Sequence, residues 1–172
     1  MNSTLCTIGF TKKTAEEFFR LLQEAAVQKI IDIRENRIGQ LSGFTKHPDL
    51  EFFLKRLASI AYRAEPLLAP SPDIRRAYAQ THDWKQYEGS FFRLMRERGV
   101  PERISPGEFE GCVALLCSEP TPERCHRRLV AELLSAHWNS LGHSVDIKHL
   151  VIEKPGKRRK RPAGSDDGTA TL

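Results

Sequence analysis

The sequence predicts one α/β domain of three layers, in which helices flank a mostly parallel sheet of about five strands. Short β-branched or apolar runs alternate along the chain with segments of roughly 10–15 residues that show helical periodicity. The chain has 172 residues, of which 40% are hydrophobic, and this suits one domain with a sizeable core. The segment Cys112–Cys117 (CVALLC) is apolar throughout, as expected of a parallel strand covered on both faces.

The first half of the chain predicts three strands joined by two helices. Residues 5–8 form a short apolar run, residues 29–33 (KIIDI) a β-branched run, and residues 60–62 the start of a third strand. After the first run, Thr14 and Glu17 have the spacing of a capping box, which predicts the start of a helix. The apolar positions at helical spacing are Phe18, Leu21, Leu22 and Ala25 in one helix and Leu50, Phe53, Leu54 and Leu57 in the next.

The second half predicts more helix, with two further strands. Residues 73–98 have helical periodicity with a break near Asp83, and residues 124–138 form a helix that ends by Gly142. The predicted strands are Cys112–Cys117 and residues 145–152. Parallel sheets bind ligands beyond the carboxyl ends of their strands, so the residues that follow each strand are the ones to examine for a site.

The positive net charge of +5 is concentrated at the end of the chain. Residues 153–172 carry six Lys and Arg against three acidic residues, which accounts for +3 of that charge. They contain no large apolar residue before Leu172, so residues 1–152 are predicted to fold and residues 153–172 to form a disordered basic tail. Such a tail either attracts nucleic acid without sequence preference or stays solvated.

Composition also excludes some classes of protein. No apolar run approaches the roughly 20 residues of a membrane span, and the first residues lack the pattern of a secretory signal. Four cysteines in a chain of this length do not make a disulfide scaffold, so a cytoplasmic location is expected. The oligomeric state cannot be predicted from the chain.

The segment with the most chemistry is predicted to run as strand, turn and helix between residues 115 and 134. Cys117 ends the strand, and Cys125 lies near the helix start, followed by His126 and Arg127. A helix N-terminus presents free N–H groups and partial positive charge, which bind anions and lower a nearby thiol pKa. The pattern therefore predicts a reactive cysteine, although a small buried cysteine beneath the turn would have the same sequence.

Three interpretations of this segment stay open. In the first, Cys117 or Cys125 is a nucleophile, and Glu119 or His126 carries the proton. In the second, the cysteines and a histidine bind a metal, but the spacing C-x7-C-H fits no common zinc pattern, so no metal or other cofactor is expected. In the third, the two cysteines form a redox pair across the loop, although their spacing is not C-x-x-C.

Candidate substrate-binding residues follow the strand at 29–33. Asp32 and Arg34 alternate and share one face, where they either orient an anionic substrate or form a structural salt bridge. In the long connection that follows, Phe44 either stacks on a base or covers the core as part of a flap. Arg34 and Arg127 are the predicted contacts to the negative group of a substrate.

The aromatic and charged residues of 73–98 are interpreted as structural. Trp84 and Tyr87 lie near helical spacing, which is more typical of core than of a base-stacking platform. Arg75 and Tyr78 are interpreted as part of a solvated helix face.

Together these motifs resemble the domain of unknown function 488 family. The matching residues are Thr7-Ile8-Gly9, Asp32-Ile33-Arg34, 40–46 (QLSGFTK), 66–70 (PLLAP), Trp84, Tyr87, 116–119 (LCSE) and Cys125-His126-Arg127. They span roughly residues 5–150, and the cysteines with His126 and Arg127 are the most specific part. Many members have His-Ser after the Ile-Gly, where this chain has Phe10-Thr11. The resemblance implies a small α/β domain and no established activity.

The residues thus predict a thiol-dependent enzyme that acts on an anionic substrate at the carboxyl ends of the strands. The expected substrate is a nucleotide or a nucleic-acid-like molecule. The alternative is a non-catalytic module that binds nucleic acid or a nucleotide through the same arginines, with a structural Cys-His segment. Neither interpretation involves a membrane.

Overall fold

Strands and helices alternate through residues 2–38 and 42–152, which are the residues described by a computed structural model of the chain. The strands are β1 (Asn2–Gly9), β2 (Lys29–Asp32), β3 (Ala61–Ala64), β4 (Cys112–Cys117) and β5 (Ser144–Leu150). The helices are α1 (Ala15–Glu24), α2 (Asp49–Ala58), α3 (Pro72–Thr81), α4 (Trp84–Glu97) and α5 (His126–Ser140).

The five strands form one sheet in the order β3-β2-β4-β1-β5, and every neighbouring pair is parallel. Parallel neighbours require crossover connections, which place helices on both faces of the sheet. The predicted α/β class and the sheet of about five strands are therefore confirmed. β4 lies at the centre, and its last residue, Cys117, is in register with Gly9 at the end of β1.

The apolar sequence of β4 follows from burial on both of its faces. Val113 and Leu115 belong to a core formed with α4 and α5, whereas Ala114 and Leu116 belong to a second core formed with α1 and α2. All four side chains are fully buried. Since successive side chains of a strand point to opposite faces, a strand between two helical layers is apolar at every position.

Local sequence signals define the predicted helix starts. At α1 the backbone N–H of Glu17 donates to Thr14 Oγ1 at 3.1 Å, and the backbone N–H of Thr14 donates to Glu17 Oε2 at 2.8 Å. This is the capping box that the spacing predicts. The predicted helix break is also present, because Asp83 accepts a hydrogen bond from the backbone of Gln86 and starts α4.

Several element boundaries differ from the prediction by one to three residues. α5 begins at His126 rather than at Arg124, with Cys125 as its N-cap residue, and β5 ends at Leu150 rather than Ile152. The predicted tail, residues 153–172, lies outside the described residues. Within the described ranges, no helix is both long and apolar enough to cross a membrane.

Candidate thiol site at the carboxyl edge of the sheet

Two cysteines meet where β4 ends and α5 begins. The connection over residues 118–124 turns back over the edge of the sheet, so the Sγ atoms of Cys117 and Cys125 lie 2.8 Å apart. Both residues are free thiols and are buried, Cys117 completely and Cys125 with 2% of its surface exposed. The eight-residue separation along the chain is thus closed by the strand–turn–helix geometry.

Arg127 supplies a positive charge to this pair of sulfurs. It lies in the first turn of α5 with none of its surface exposed, and Nη1 lies 2.8 Å from Cys117 Sγ and 3.5 Å from Cys125 Sγ. Nη1 also donates to the Glu119 carbonyl oxygen at 2.6 Å. Among the described residues, no carboxylate pairs with Arg127, and its Nε and Nη2 atoms have no hydrogen-bond partner.

The charge of Arg127 and the contact between the sulfurs shift the pKa values of the two thiols in opposite directions. Burial opposes ionisation of Cys117, but hydrogen bonds from Cys125 and the charge of Arg127 outweigh it, so the pKa of Cys117 is lowered. Burial and the neighbouring Cys117 sulfur raise the pKa of Cys125 well above its usual value. Of the two sulfurs, Cys117 is therefore the one that ionises more readily, and the Cys125 thiol is placed to donate a hydrogen bond to it.

His126 lies beside the pair in its neutral form. Its Nε2 atom is 3.1 Å from the carbonyl oxygen of Ile33, and because a carbonyl only accepts, Nε2 carries the proton. Nδ1 is then a free acceptor 4.0 Å from Cys125 Sγ. Burial, with the charge of Arg127, lowers the pKa of His126 to about 4, so this imidazole is a weak base at neutral pH.

Asp32 and Arg34 form a buried salt bridge that supports the adjacent backbone. Oδ1 of Asp32 accepts from Arg34 Nε at 2.8 Å, and Oδ2 accepts from Arg34 Nη2 at 2.7 Å and from the Tyr62 hydroxyl at 2.8 Å. Arg34 Nη2 also donates to the carbonyl oxygen of Thr45. These contacts are those of a structural salt bridge, which was the alternative to the orientation of an anionic substrate. They hold the Ile33 carbonyl that His126 uses and the turn that contains Thr45.

Phe44 is not brought to the thiols. Its ring packs against those of Phe18 and Phe19, with centroids 5.6 and 6.5 Å away, on the face of the sheet covered by α1 and α2. This is the arrangement of a flap over the core, which is the alternative to base stacking. The neighbouring residues 39–41 lie outside the described part of the chain.

Glu119 approaches the site through its backbone. Its carbonyl oxygen accepts from Arg127, whereas its side chain is exposed and lines the cleft in front of the thiols. The sequence analysis considered only the carboxylate as a proton carrier.

A cleft of about 290 Å³ opens from the thiol site. Cys125 and His126 line it, but Cys117 does not. The other lining residues come mainly from α3, α4 and the loops beside them, and are Pro70, Arg75, Tyr78, Ala79, His82, Trp84, Tyr87, Glu119 and Arg124. A second cleft of about 360 Å³, between α1 and β5, has no cysteine in its lining and is not considered further as an active site.

Several residues of the site were missed by the sequence analysis. Arg75 and Tyr78, interpreted as a solvated face, line the cleft, and Trp84 and Tyr87 both pack on the core and line it. Lys13 donates to the carbonyl oxygen of Pro120, and no sequence pattern indicated this contact. Since the helices α3 and α4 are separate in the chain from the thiols, only their packing brings these side chains to the cleft.

Gly9 is required by the closeness of the turn to the sheet. A Cβ atom at this position would overlap the carbonyl oxygen of Glu119 and lie 2.6 Å from Arg127 Nη1. From the sequence alone, Gly9 stands only as the last residue of the Thr7-Ile8-Gly9 motif. Its lack of a side chain is what lets the turn and Arg127 lie against β1.

No group of three or more His, Cys, Asp and Glu within the described ranges is arranged to hold a metal ion. The groups that the structure brings together at this edge are two buried thiols, a buried guanidinium and an imidazole.

Comparison with known proteins identifies one family. The family described as domain of unknown function DUF488 matches residues 14–134, a range that includes both cysteines, Arg127 and the cleft-lining helices α3 and α4. No curated protein and no solved structure matches the chain.

Proposed function

Because the chain belongs to the DUF488 family, whose description names no activity, we propose a function from the geometry of the site. The protein is a thiol-dependent enzyme that acts on an anionic, nucleotide-like substrate. The substrate binds in the cleft in front of Cys125, at the carboxyl ends of the strands.

The observation that carries this proposal is the burial of Arg127 with no carboxylate paired to it among the described residues. Burying a guanidinium costs several kcal/mol unless an anion compensates it. The atom that Nη1 meets at 2.8 Å is the sulfur of Cys117, whose pKa is lowered by hydrogen bonds and by this same charge, against the effect of burial. A structural cysteine packed under a turn needs no such cation, so the pairing supports a thiolate maintained for chemistry.

Cys125 is the nucleophile, since it is the sulfur that lines the cleft. Its proton moves to the Cys117 thiolate along the contact between the two sulfurs, which are 2.8 Å apart. Cys125 Sγ then forms a bond to the electrophilic atom of the substrate, and the leaving group departs with its bonding electrons. His126 orients the attacking sulfur through Nδ1. Glu119, at the rim of the cleft, takes a proton from solvent and gives it to the leaving group.

The lining of the cleft supports an aromatic anion as substrate. The rings of Trp84 and Tyr87 are stacked at 4.9 Å, and Tyr78 meets Trp84 edge-on at 5.8 Å. Arg75 and Arg124 add positive charge to the same lining. Arg75 pairs with Glu35, whereas Arg124 has no partner among the described residues. Aromatic faces beside arginines suit a base with a phosphate group.

The test is alkylation of the full-length protein at graded pH, with each cysteine resolved by mass spectrometry. We expect the Cys117–Cys125 pair to react with iodoacetamide in a titration centred well below the usual thiol value of about 8.5. We also expect a nucleoside monophosphate to protect Cys125. Cys6 and Cys112 provide the internal control and should stay unreactive. If both site cysteines titrate at about 8.5 or above, or are inert, the proposed enzyme is wrong.

A binding module without catalysis is the second candidate, and it is favoured by the complete burial of Cys117 and Arg127, which puts both out of reach of a substrate. The double variant Cys117→Ser/Cys125→Ser separates the two functions. A binding module keeps its affinity for a nucleoside monophosphate in this variant and shows no reactive thiol before the substitution. The proposed enzyme shows the reactive thiol and loses it.

A further inference from the structure

Two sulfurs in contact can exchange electrons as well as protons. We propose that Cys117 and Cys125 form a two-electron dithiol–disulfide couple, and that the electrophile attacked by Cys125 is a sulfur atom of a disulfide. This inference rests on the proposed function, because it keeps Cys125 as the attacking residue and assigns the class of reaction.

The geometry permits the bond without movement of the backbone elements. The sulfurs of a disulfide lie about 2 Å apart, so closing the 2.8 Å separation requires less than about 1 Å of side-chain movement. The movement breaks no capping hydrogen bond, because the Cys125 side chain makes none to α5. Both cysteines are anchored by regular structure, Cys117 by β4 and Cys125 by the start of α5.

The reaction begins from one thiolate and one thiol, and its atoms and electrons balance. The proton of Cys125 passes to Cys117, and Cys125 Sγ attacks one sulfur of the substrate disulfide, releasing the other half as a thiolate. Cys117 then attacks Cys125 Sγ in the mixed disulfide, and its proton goes to the second leaving sulfur. The protein loses two electrons and becomes the Cys117–Cys125 disulfide, while the substrate becomes one thiolate and one thiol.

Arg127 affects the equilibrium between the dithiol and the disulfide forms of this couple. The reduced pair carries a thiolate 2.8 Å from Nη1, whereas the disulfide carries no charge and leaves the buried guanidinium without an anion. The structure therefore stabilises the reduced form over the oxidised form. The disulfide form of such a couple is a strong oxidant. The two exchange steps therefore run forward only with a substrate disulfide that is more oxidising still, and they run in reverse when the oxidised protein meets a thiol substrate.

The other pair of neighbouring thiols is a matched control. The Sγ atoms of Cys6 and Cys112 lie 3.5 Å apart, and Cys112 Sγ donates to the carbonyl oxygen of Ala25 at 3.2 Å. No arginine contacts either sulfur within the part of the chain that the structure describes. Proximity alone is thus present in both pairs, and only one of them has a thiolate and a face open to a cleft.

The experiment equilibrates the full-length protein in glutathione buffers of graded ratio at pH 7, followed by acid trapping and mass spectrometry. We expect Cys117 and Cys125 to disappear together as a disulfide that joins their two peptides, with two glutathione thiols released per chain. Cys6 and Cys112 stay reduced. In Arg127→Met the oxidation midpoint moves at least tenfold in glutathione ratio toward easier oxidation, and in Arg127→Lys it moves less.

The single variants Cys117→Ser and Cys125→Ser complete the test. Cys117→Ser forms a mixed disulfide of glutathione on Cys125 more slowly than the unaltered protein, because the group that takes the Cys125 proton is missing. The mixed disulfide then persists, because the resolving thiol is also missing. Cys125→Ser forms no mixed disulfide at the site, since Cys117 does not line the cleft. The variant Cys6→Ser/Cys112→Ser oxidises like the unaltered protein.

The outcomes separate the couple from the enzyme on which it rests. If alkylation reveals the low-pKa thiol but no internal disulfide forms at any ratio, the couple is wrong and the enzyme stands. If the disulfide forms in a protein whose thiols titrate normally, the couple stands and the nucleophilic enzyme is wrong. If Cys6 and Cys112 oxidise as readily as the site pair, or if Arg127→Met leaves the midpoint unchanged, the assigned role of Arg127 is wrong.

Discussion

The strand β4 carries one cysteine at each end, and each has a second thiol beside it. At the amino end Cys112 lies 3.5 Å from Cys6, and at the carboxyl end Cys117 lies 2.8 Å from Cys125, measured between Sγ atoms. The two pairs differ in their charged surroundings. Arg127 contacts both sulfurs at the carboxyl end, whereas the cation that influences the other pair is Lys148, acting on Cys6 without a hydrogen bond.

The consequence is that the pKa values of similar thiols shift in opposite directions. Burial and the hydrogen bond with Cys112 raise the pKa of Cys6 to about 12, while the pKa of Cys117 is lowered despite complete burial. Burial acts in the same direction on both thiols, so it does not separate them. The two thiols are separated by the positive charge of Arg127 and by the hydrogen bonds that Cys117 accepts. The reactivity of a thiol pair in an α/β protein is therefore inferred from the charges beside it and not from its spacing in the sequence.

The largest expected effect is that of Gly9→Ala, which acts on the carboxyl end alone. The added methyl group overlaps the Glu119 carbonyl and crowds Arg127, so we expect a loss of about 3 kcal/mol in the free energy of unfolding. Urea denaturation measures the loss, and alkylation should show that the low-pKa thiol has disappeared. Gly89→Ala is the control, since its Cβ meets no atom within 4 Å and alanine favours the helix interior. Equal stability of the two variants would contradict the close approach at Gly9.

An acid limit to stability should arise from His126 at the same end. Its pKa in the folded protein is about 4 against an ordinary 6.5, so its contribution is complete above pH 6.5 and is lost as the pH falls toward 4. We expect His126→Gln to remove about 2 kcal/mol of this acid destabilisation while keeping a donor to the Ile33 carbonyl. Denaturation at a series of pH values measures it. Parallel pH curves for the two proteins would show that His126 is not the group responsible.

Arg127→Met tests whether the Cys117–Cys125 pair loses its reactivity, and so resembles the Cys6–Cys112 pair, when the cation is removed. Without the cation the pKa of Cys117 should rise, and the rate of alkylation of the site at pH 7 should fall at least tenfold. The free energy of unfolding should change little, because Cys117 takes up a proton when the cation is removed, and an apolar chain of similar length replaces the buried guanidinium. Arg127→Lys should retain part of the reactivity. An unchanged rate in Arg127→Met would show that the difference between the two ends has another origin.

The smallest effect is expected from Tyr62→Phe, which sharpens the distinction between the thiol site and its support. The variant removes one hydrogen bond to the buried Asp32 carboxylate and should cost about 1 kcal/mol of stability. The alkylation profile of the thiols should not change, because Arg34 still holds Asp32 at 2.7 and 2.8 Å. Tyr78→Phe serves as control for loss of a hydroxyl at the cleft. If the thiol titration shifts in Tyr62→Phe, Asp32 influences the reactivity of the thiols and is more than a structural support.

The fold was largely predictable because its signals are local. The apolar run of β4, the capping box at Thr14 and Glu17, and the break at Asp83 each depend on neighbours within a few residues. The start of α5 after Cys125 was less predictable, because cysteine is not a typical N-cap residue. Its position there is accompanied by the contact with Cys117, which is distant in the sequence.

The site was predictable only in part. Cys117, Cys125, His126 and Arg127 come together because one strand, one turn and one helix carry them all. The cleft residues Arg75 and Tyr78 were not predictable, since their place depends on how α3 and α4 pack against the sheet. Phe44 depends in the same way on α1, against which it packs.

By itself the sequence determined the α/β class, the alternation of strands and helices that makes the sheet parallel, and the short segment in which a reactive thiol could lie. These depend on periodicity and on residues close in the chain. The tertiary structure decided which cysteine has the lowered pKa, which one lines the cleft, and that Arg127 contacts both sulfurs. Those outcomes depend on burial and on charges a few ångströms away, and a linear spacing contains neither quantity.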